Sequence, residues 1–162
     1  MSHSPYTGGC LCGAVRYEVR GPLRDVIACH CEQCRRASSH YAAATAAWHD
    51  DFALTKEDGL AWYNFSADLC RGFCGKCGST LFFDHGTQYP IGIAAGSLDS
   101  DPAIKLAIHI YVDEAGSYYE VPDDGVPRAD SQSWRKQGWD ALAWTDDPSS
   151  HSGEATMPRV DG

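Results

Sequence analysis

Seven of the chain's eight cysteines lie in three short clusters: Cys10-Leu11-Cys12, Cys29-His30-Cys31-Glu32-Gln33-Cys34 and Cys74-Gly75-Lys76-Cys77-Gly78. Thiolate sulfur is a soft ligand that suits zinc. Two pairs of cysteines make a closed site of four sulfurs, the kind that holds a fold together. A cluster of three leaves one coordination position for water or substrate, the kind that does chemistry. Cys10 and Cys12, read as part of a strand, turn both sulfurs to one side. Cys74-x-x-Cys77-Gly78 is a zinc knuckle, in which Gly78 supplies a positive-φ turn. Joined, these four residues form a staple between segments distant in sequence, and the binding energy of the metal becomes folding energy.

The middle cluster offers Cys29, Cys31 and Cys34. Its fourth position takes water, a substrate or a protein ligand, with Cys70, His30, His85 and His109 as candidates; a protein ligand would make the site structural. In a Cys-x-Cys strand His30 points away from the metal, as a surface residue or as one that supports the ligands. Arg35 and Arg36 follow the last ligand and are candidates for holding a substrate carboxylate or donating to the thiolates, against the plainer role of solvated charge. Cys70 reads as a small buried hydrophobe or a spare thiol. An iron–sulfur cluster is disfavoured by the irregular spacing and the lack of a nearby fourth cysteine. Disulfides are disfavoured too, because Cys-x-Cys would close very small rings.

The elements around these clusters read as short strands. Val15, Tyr17 and Val19 alternate with Arg16, Glu18 and Arg20, a half-buried strand ended by Gly21-Pro22. Val26-Ile27-Ala28 leads into the middle cluster, and residues 35–39 suit a helical turn after it. The Ala-rich run from Tyr41 to Trp48 fits helix or strand and is assigned to strand, since it lacks capping signals. Further strands are expected at 52–55 and 60–65, around the Lys56-Glu57-Asp58-Gly59 turn, and at 69–73, 80–83, 91–95 and 104–112. Ser133 to Trp144, with three tryptophans, reads as a short helix on the sheet. The expected organisation is one mainly β domain over residues 1–144, built of small packed antiparallel sheets, with 145–162 a polar tail.

The chain has 162 residues, 43% of them hydrophobic, enough for one domain with a real core. It lacks an apolar run of membrane-spanning length and a secretion signal, so the expected location is the cytoplasm, where thiols stay reduced. A formal net charge of −9 argues against nucleic acid and anionic membranes as partners.

Taken together, three segments resemble the glutathione-dependent formaldehyde-activating enzyme family, which also includes centromere protein V: Gly9-Cys10-Leu11-Cys12-Gly13-Ala14-Val15-Arg16-Tyr17, Cys29 through Arg36, and Arg71-Gly72-Phe73-Cys74-Gly75-Lys76-Cys77-Gly78-Ser79. Ala95-Gly96-Ser97-Leu98-Asp99 and His109-Ile110-Tyr111-Val112-Asp113 add weaker matches, so the resemblance covers about residues 6–120. It implies an Mss4-like β fold with two zincs, a structural one on Cys10, Cys12, Cys74 and Cys77 and a more labile one on Cys29, Cys31 and Cys34, where chemistry occurs. It implies a carbon–sulfur lyase-type enzyme, in the founding case joining glutathione and formaldehyde into S-hydroxymethylglutathione. Two functional classes follow. One is such an enzyme, acting on a thiol and an aldehyde. The other is a non-catalytic zinc module that binds a thiol metabolite such as glutathione, or a protein partner.

Overall fold

In the computed structural model, residues 4–137, 142, 144 and 145 are described. They are mainly β, in two sheets. A three-stranded sheet runs β1 (Tyr6–Gly9), β2 (Val15–Val19), β5 (Phe52–Glu57), all antiparallel. The larger sheet has eight strands in the order β11 (Arg128–Ala129), β10 (Leu106–Ile110), β3 (Val26–Cys29), β4 (Ala42–Ala47), β9 (Ile91–Ala94), β8 (Thr80–Asp84), β7 (Cys70–Cys74), β6 (Leu60–Asn64). It is antiparallel except at one end, where β10 runs parallel to both β3 and β11. Two short helices complete it, α1 (Glu32–Ser38) and α2 (Ser131–Gln137). None of the helices is long and apolar enough to cross a membrane.

The alternation in β2 does what its period requires: Val15, Tyr17 and Val19 are buried and Arg16 and Glu18 are not. These three pack on Phe82, Ile91 and Ile93 of the larger sheet, with Tyr17 edge-on to Phe82 at 5.4 Å. The Asp58-Gly59 turn carries the chain from β5 in one sheet to β6 in the other. The Ala-rich run is strand β4, at the centre of the larger sheet.

The opposite face of that sheet positions the site. Residues paired across neighbouring strands project to the same side. Ile110 pairs with Cys29, Cys29 with Ala42, Ala44 with Ala94, Gly92 with Phe83 and Phe83 with Arg71. One face therefore carries Cys29 and Arg71 with a floor of alanine and glycine between them. At the parallel end the same face is covered by Trp134 of α2, packed on Ile27, Ile108, Ile110 and Ala129. Of the segment Ser133 to Trp144, expected to be helical, the first residues belong to α2 (Ser131–Gln137), whereas Trp144 is not helical: it bridges Arg24 and stacks on Trp48 at 5.9 Å. Trp139 and residues 146–162 lie outside the described residues.

Candidate functional site

The four-cysteine cluster joins two turns. Cys10 and Cys12 sit in the turn between β1 and β2, rather than on a strand as expected from their spacing. Gly13, at φ 78°, reverses the chain there, which no alternating strand would do. Cys74 ends β7, and Cys77 follows in a turn closed by the Gly78 N–H donating to the Cys74 carbonyl (2.8 Å), with Gly78 at φ 79°. The four sulfurs lie within 4.8 Å of one another. Cys10 and Cys12 sulfurs are 3.6 Å apart, and those of Cys12 and Cys74 are 3.8 Å apart. A tetrahedron with zinc–sulfur bonds of about 2.3 Å has edges of about 3.8 Å, so this donor set fits zinc. The Val15 N–H donates to the Cys10 sulfur at 3.2 Å, and Ser79 Oγ lies 3.2 Å from the Cys77 sulfur. Gly59 belongs to this site as well: a Cβ there would come within 2.8 Å of the Cys74 sulfur. Its place in the turn signal was legible from sequence, but its closeness to the metal ligands was not.

The second cluster is built by a strand running into a helix. Cys29 ends β3, Cys31 caps α1 by accepting the Cys34 N–H at its sulfur (3.5 Å), and Cys34 is buried inside the first turn. The helix begins earlier than the expected 35–39, so Cys34 is helical. The three sulfurs lie within 4.8 Å of one another, and among the described residues no fourth cysteine, histidine or carboxylate joins the group. Thiols this close share negative charge. It settles on Cys34, held down to about 3 by hydrogen bonds from Cys29 and Cys31 and then by the positive Arg71, while those bonds push Cys29 well up. The Arg71 guanidinium reaches the Cys34 sulfur at 3.8 Å and lies 4.7 Å over the Phe83 ring. Three thiolates with one open position fit a divalent metal, and a cation beside them offsets their excess negative charge.

The candidate fourth ligands have other partners. Cys70, half-buried in β7, points its sulfur at the Asp84 carbonyl (3.8 Å). His85 lines the cavity described below, packed on Phe83. His30 and His109 are both fully buried, so His30 is not a surface residue. They form one chain. His109 Nε2 is 3.0 Å from Asp124 Oδ2, His109 Nδ1 is 3.1 Å from His30 Nε2, and His30 Nδ1 is 2.8 Å from the Tyr119 hydroxyl. A carboxylate only accepts, so with both imidazoles neutral the protons run one way: Tyr119 donates to His30, His30 to His109, and His109 to Asp124. The chain clamps the segment between two metal ligands from behind. Burial, with the neighbouring His109, pushes His30 down to about 4. A buried histidine held neutral binds fewer protons folded than unfolded between its ordinary value near 6.5 and 4. Stability is therefore expected to fall as pH drops through that window, read as urea midpoints at constant metal content. At neutral pH, His109→Leu strands the His30 Nε2–H and is expected to cost about 1–3 kcal/mol in the same measurement.

Above the small-residue floor of β4 and β9 lies a cavity of about 450 Å³ that takes in Cys29, Cys31 and Cys34. Ala44 and Ala94 stay half-exposed on two central strands because they face it. None of Cys10, Cys12, Cys74 and Cys77 lines it. Neither do Arg35 and Arg36. Arg36 is exposed and paired with Glu32 at 2.9 Å; Arg35 is half-buried, its Nε without an acceptor among the described residues. The arginines lining the cavity are Arg24, Arg71 and Arg135.

Comparison with known proteins agrees with this arrangement. Over 79 residues the chain is 32% identical to an uncharacterized lyase of Schizosaccharomyces pombe, a stretch covering 48% of this chain and 56% of that one. The chain thus spans little more than half the length of this curated relative. A crystal structure of a Rhodobacter sphaeroides protein aligns with a TM-score of 0.50 at 28% identity, covering 58% of this chain and 88% of the other. Residues 5–114 match the family described as glutathione-dependent formaldehyde-activating enzyme. That span takes in both cysteine clusters, and the chain belongs to this family.

Proposed function

We propose that the chain is a zinc-dependent carbon–sulfur lyase-type enzyme that joins a small thiol to an aldehyde, or reverses that addition, at Cys29, Cys31 and Cys34. The observation that carries the reading is the difference between the two clusters: three sulfurs, with no fourth protein donor among the described residues, open into a cavity, and four close on themselves away from it. Cys10, Cys12, Cys74 and Cys77 are read as holding structural zinc. A zinc on the three-cysteine cluster would supply a Lewis acid that favours thiolate over thiol at neutral pH.

In the addition, the sulfur lone pair forms a bond to the carbonyl carbon, the carbonyl π pair moves to oxygen, and the thiol proton ends on that oxygen as a hydroxyl. The chain's own part is to hold and shield. Arg71 keeps positive charge beside the thiolates, and mostly apolar cavity walls line the space next to them. Unpaired thiols suit the reducing conditions of a cytoplasm, and all eight cysteines are free.

The test is the rate of adduct formation from glutathione and formaldehyde with zinc-loaded protein. Acceleration over the spontaneous reaction, lost in Cys29→Ser, is the expected result. Binding of thiol without acceleration, across a panel of aldehydes, would make the chain a carrier and overturn the reading.

A further inference from the structure

The cavity is far larger than formaldehyde needs, and its lining is selective. About 450 Å³ falls in the range of pockets that enclose a whole organic ligand. The floor is aliphatic, with Ala42, Ala44 and Ala94, and the walls are aromatic: Tyr41, Phe83, Tyr111 and Trp134. Tyr111 is held at φ 55°, a left-handed conformation that bulky side chains rarely adopt. Such positions persist where the surroundings over-determine them, and they gather at ligand sites. Arg135 is exposed and lines the cavity, so its guanidinium stands at the solvent rim. Arg71 is already engaged with Cys34 and Phe83 at the inner end.

Resting on the reading of the three-cysteine cluster as the reacting centre, we infer that this cavity takes a thiol with a flat aromatic body and a carboxylate at the end remote from sulfur. The sulfur lies at Cys29, Cys31 and Cys34, the ring lies on the alanine floor between the aromatic walls, and the carboxylate meets Arg135. Glutathione suits these walls less well. It is a flexible tripeptide that loses more conformational freedom on binding than a flat ring does, and most of the surface it would meet is apolar.

Calorimetry on the full, zinc-loaded chain tests this with three probes: 4-(mercaptomethyl)benzoate, phenylmethanethiol and glutathione. Expected is the order benzoate thiol, then phenylmethanethiol, then glutathione, with the carboxylate worth about fivefold in affinity. Arg135→Gln is expected to erase the difference between the two aromatic thiols. Ala94→Leu, which fills the floor, is expected to weaken both aromatic probes, with circular dichroism and metal content confirming that it folds. Glutathione binding as tightly as the aromatic thiols, or a carboxylate preference that survives Arg135→Gln, would overturn the inference. Turnover separates it from the lyase reading: glutathione–formaldehyde catalysis without aromatic preference sinks only the inference. Aromatic binding without catalysis on any aldehyde sinks only the lyase.

Discussion

Cys74→Ser is expected to give a chain that aggregates or unfolds without a cooperative transition, and Cys29→Ser one that folds near normally with one metal fewer. The two substitutions are chemically identical, so the difference lies in their surroundings. Cys74 is fully buried in the main core, beside Val15 and Leu81, and its cluster joins the turn of one sheet to a turn of the other. Structural zinc on cysteine clusters contributes on the order of 10 kcal/mol, comparable to the whole net stability of a domain. Cys29, Cys31 and Cys34 fall within six residues on a strand and the helix that follows it, elements that the sheet pairing of β3 and the packing of Trp134 hold in place already. Thermal unfolding and metal content by mass spectrometry read both variants. Equal behaviour of the two would refute the division into a holding site and a reacting site.

Arg71→Met is expected to lower both the rate on a thiol–aldehyde pair and the retention of the second metal by about 10–100-fold, the range for residues that support metal ligands. The reason is electrostatic. Three thiolates carry one negative charge more than a divalent ion offsets, and Arg71 is the cation in reach of Cys34. Methionine keeps much of the stem over Phe83 and removes the charge, so packing is largely preserved. Arg71→Lys restores charge without the planar fork and is expected to fall between the two. The measurements are initial rates and the rate of metal release to a chelator. A methionine variant with unaltered metal release would reduce Arg71 to a packing residue.

Much of this was legible in the sequence because it is local. Ligand spacing gave both cysteine clusters, and the period-two alternation of Val15, Tyr17 and Val19 gave a strand with its buried face. What stayed hidden depends on register between strands. Arg71 faces the same side as Cys29 only because four successive strand pairings carry that side across the sheet. Arg35 and Arg36 were the arginines next to the ligands in sequence. A helix turns about 100° per residue, and with Cys34 inward the next two residues rotate away from it. The His30–His109 contact spans 79 residues, and no local pattern announces it. The alanines of β4 were read correctly as strand, but a run of alanine says nothing about the space above it until the opposing walls are known.

The two clusters also differ in how far the chain must travel to assemble them. Cys12 and Cys74 are 62 residues apart, so the four-sulfur joint cannot form until both sheets have largely docked, whereas Cys29, Cys31 and Cys34 are neighbours in any compact chain. Closing a long loop costs entropy that a short one does not, and contacts of high sequence separation form late. A newly made chain is therefore expected to capture a first ion at Cys29, Cys31 and Cys34 and a second at the four-sulfur joint. The site expected to fill first is thus also the one expected to empty first, and a chain short of zinc would hold metal early yet not finish folding.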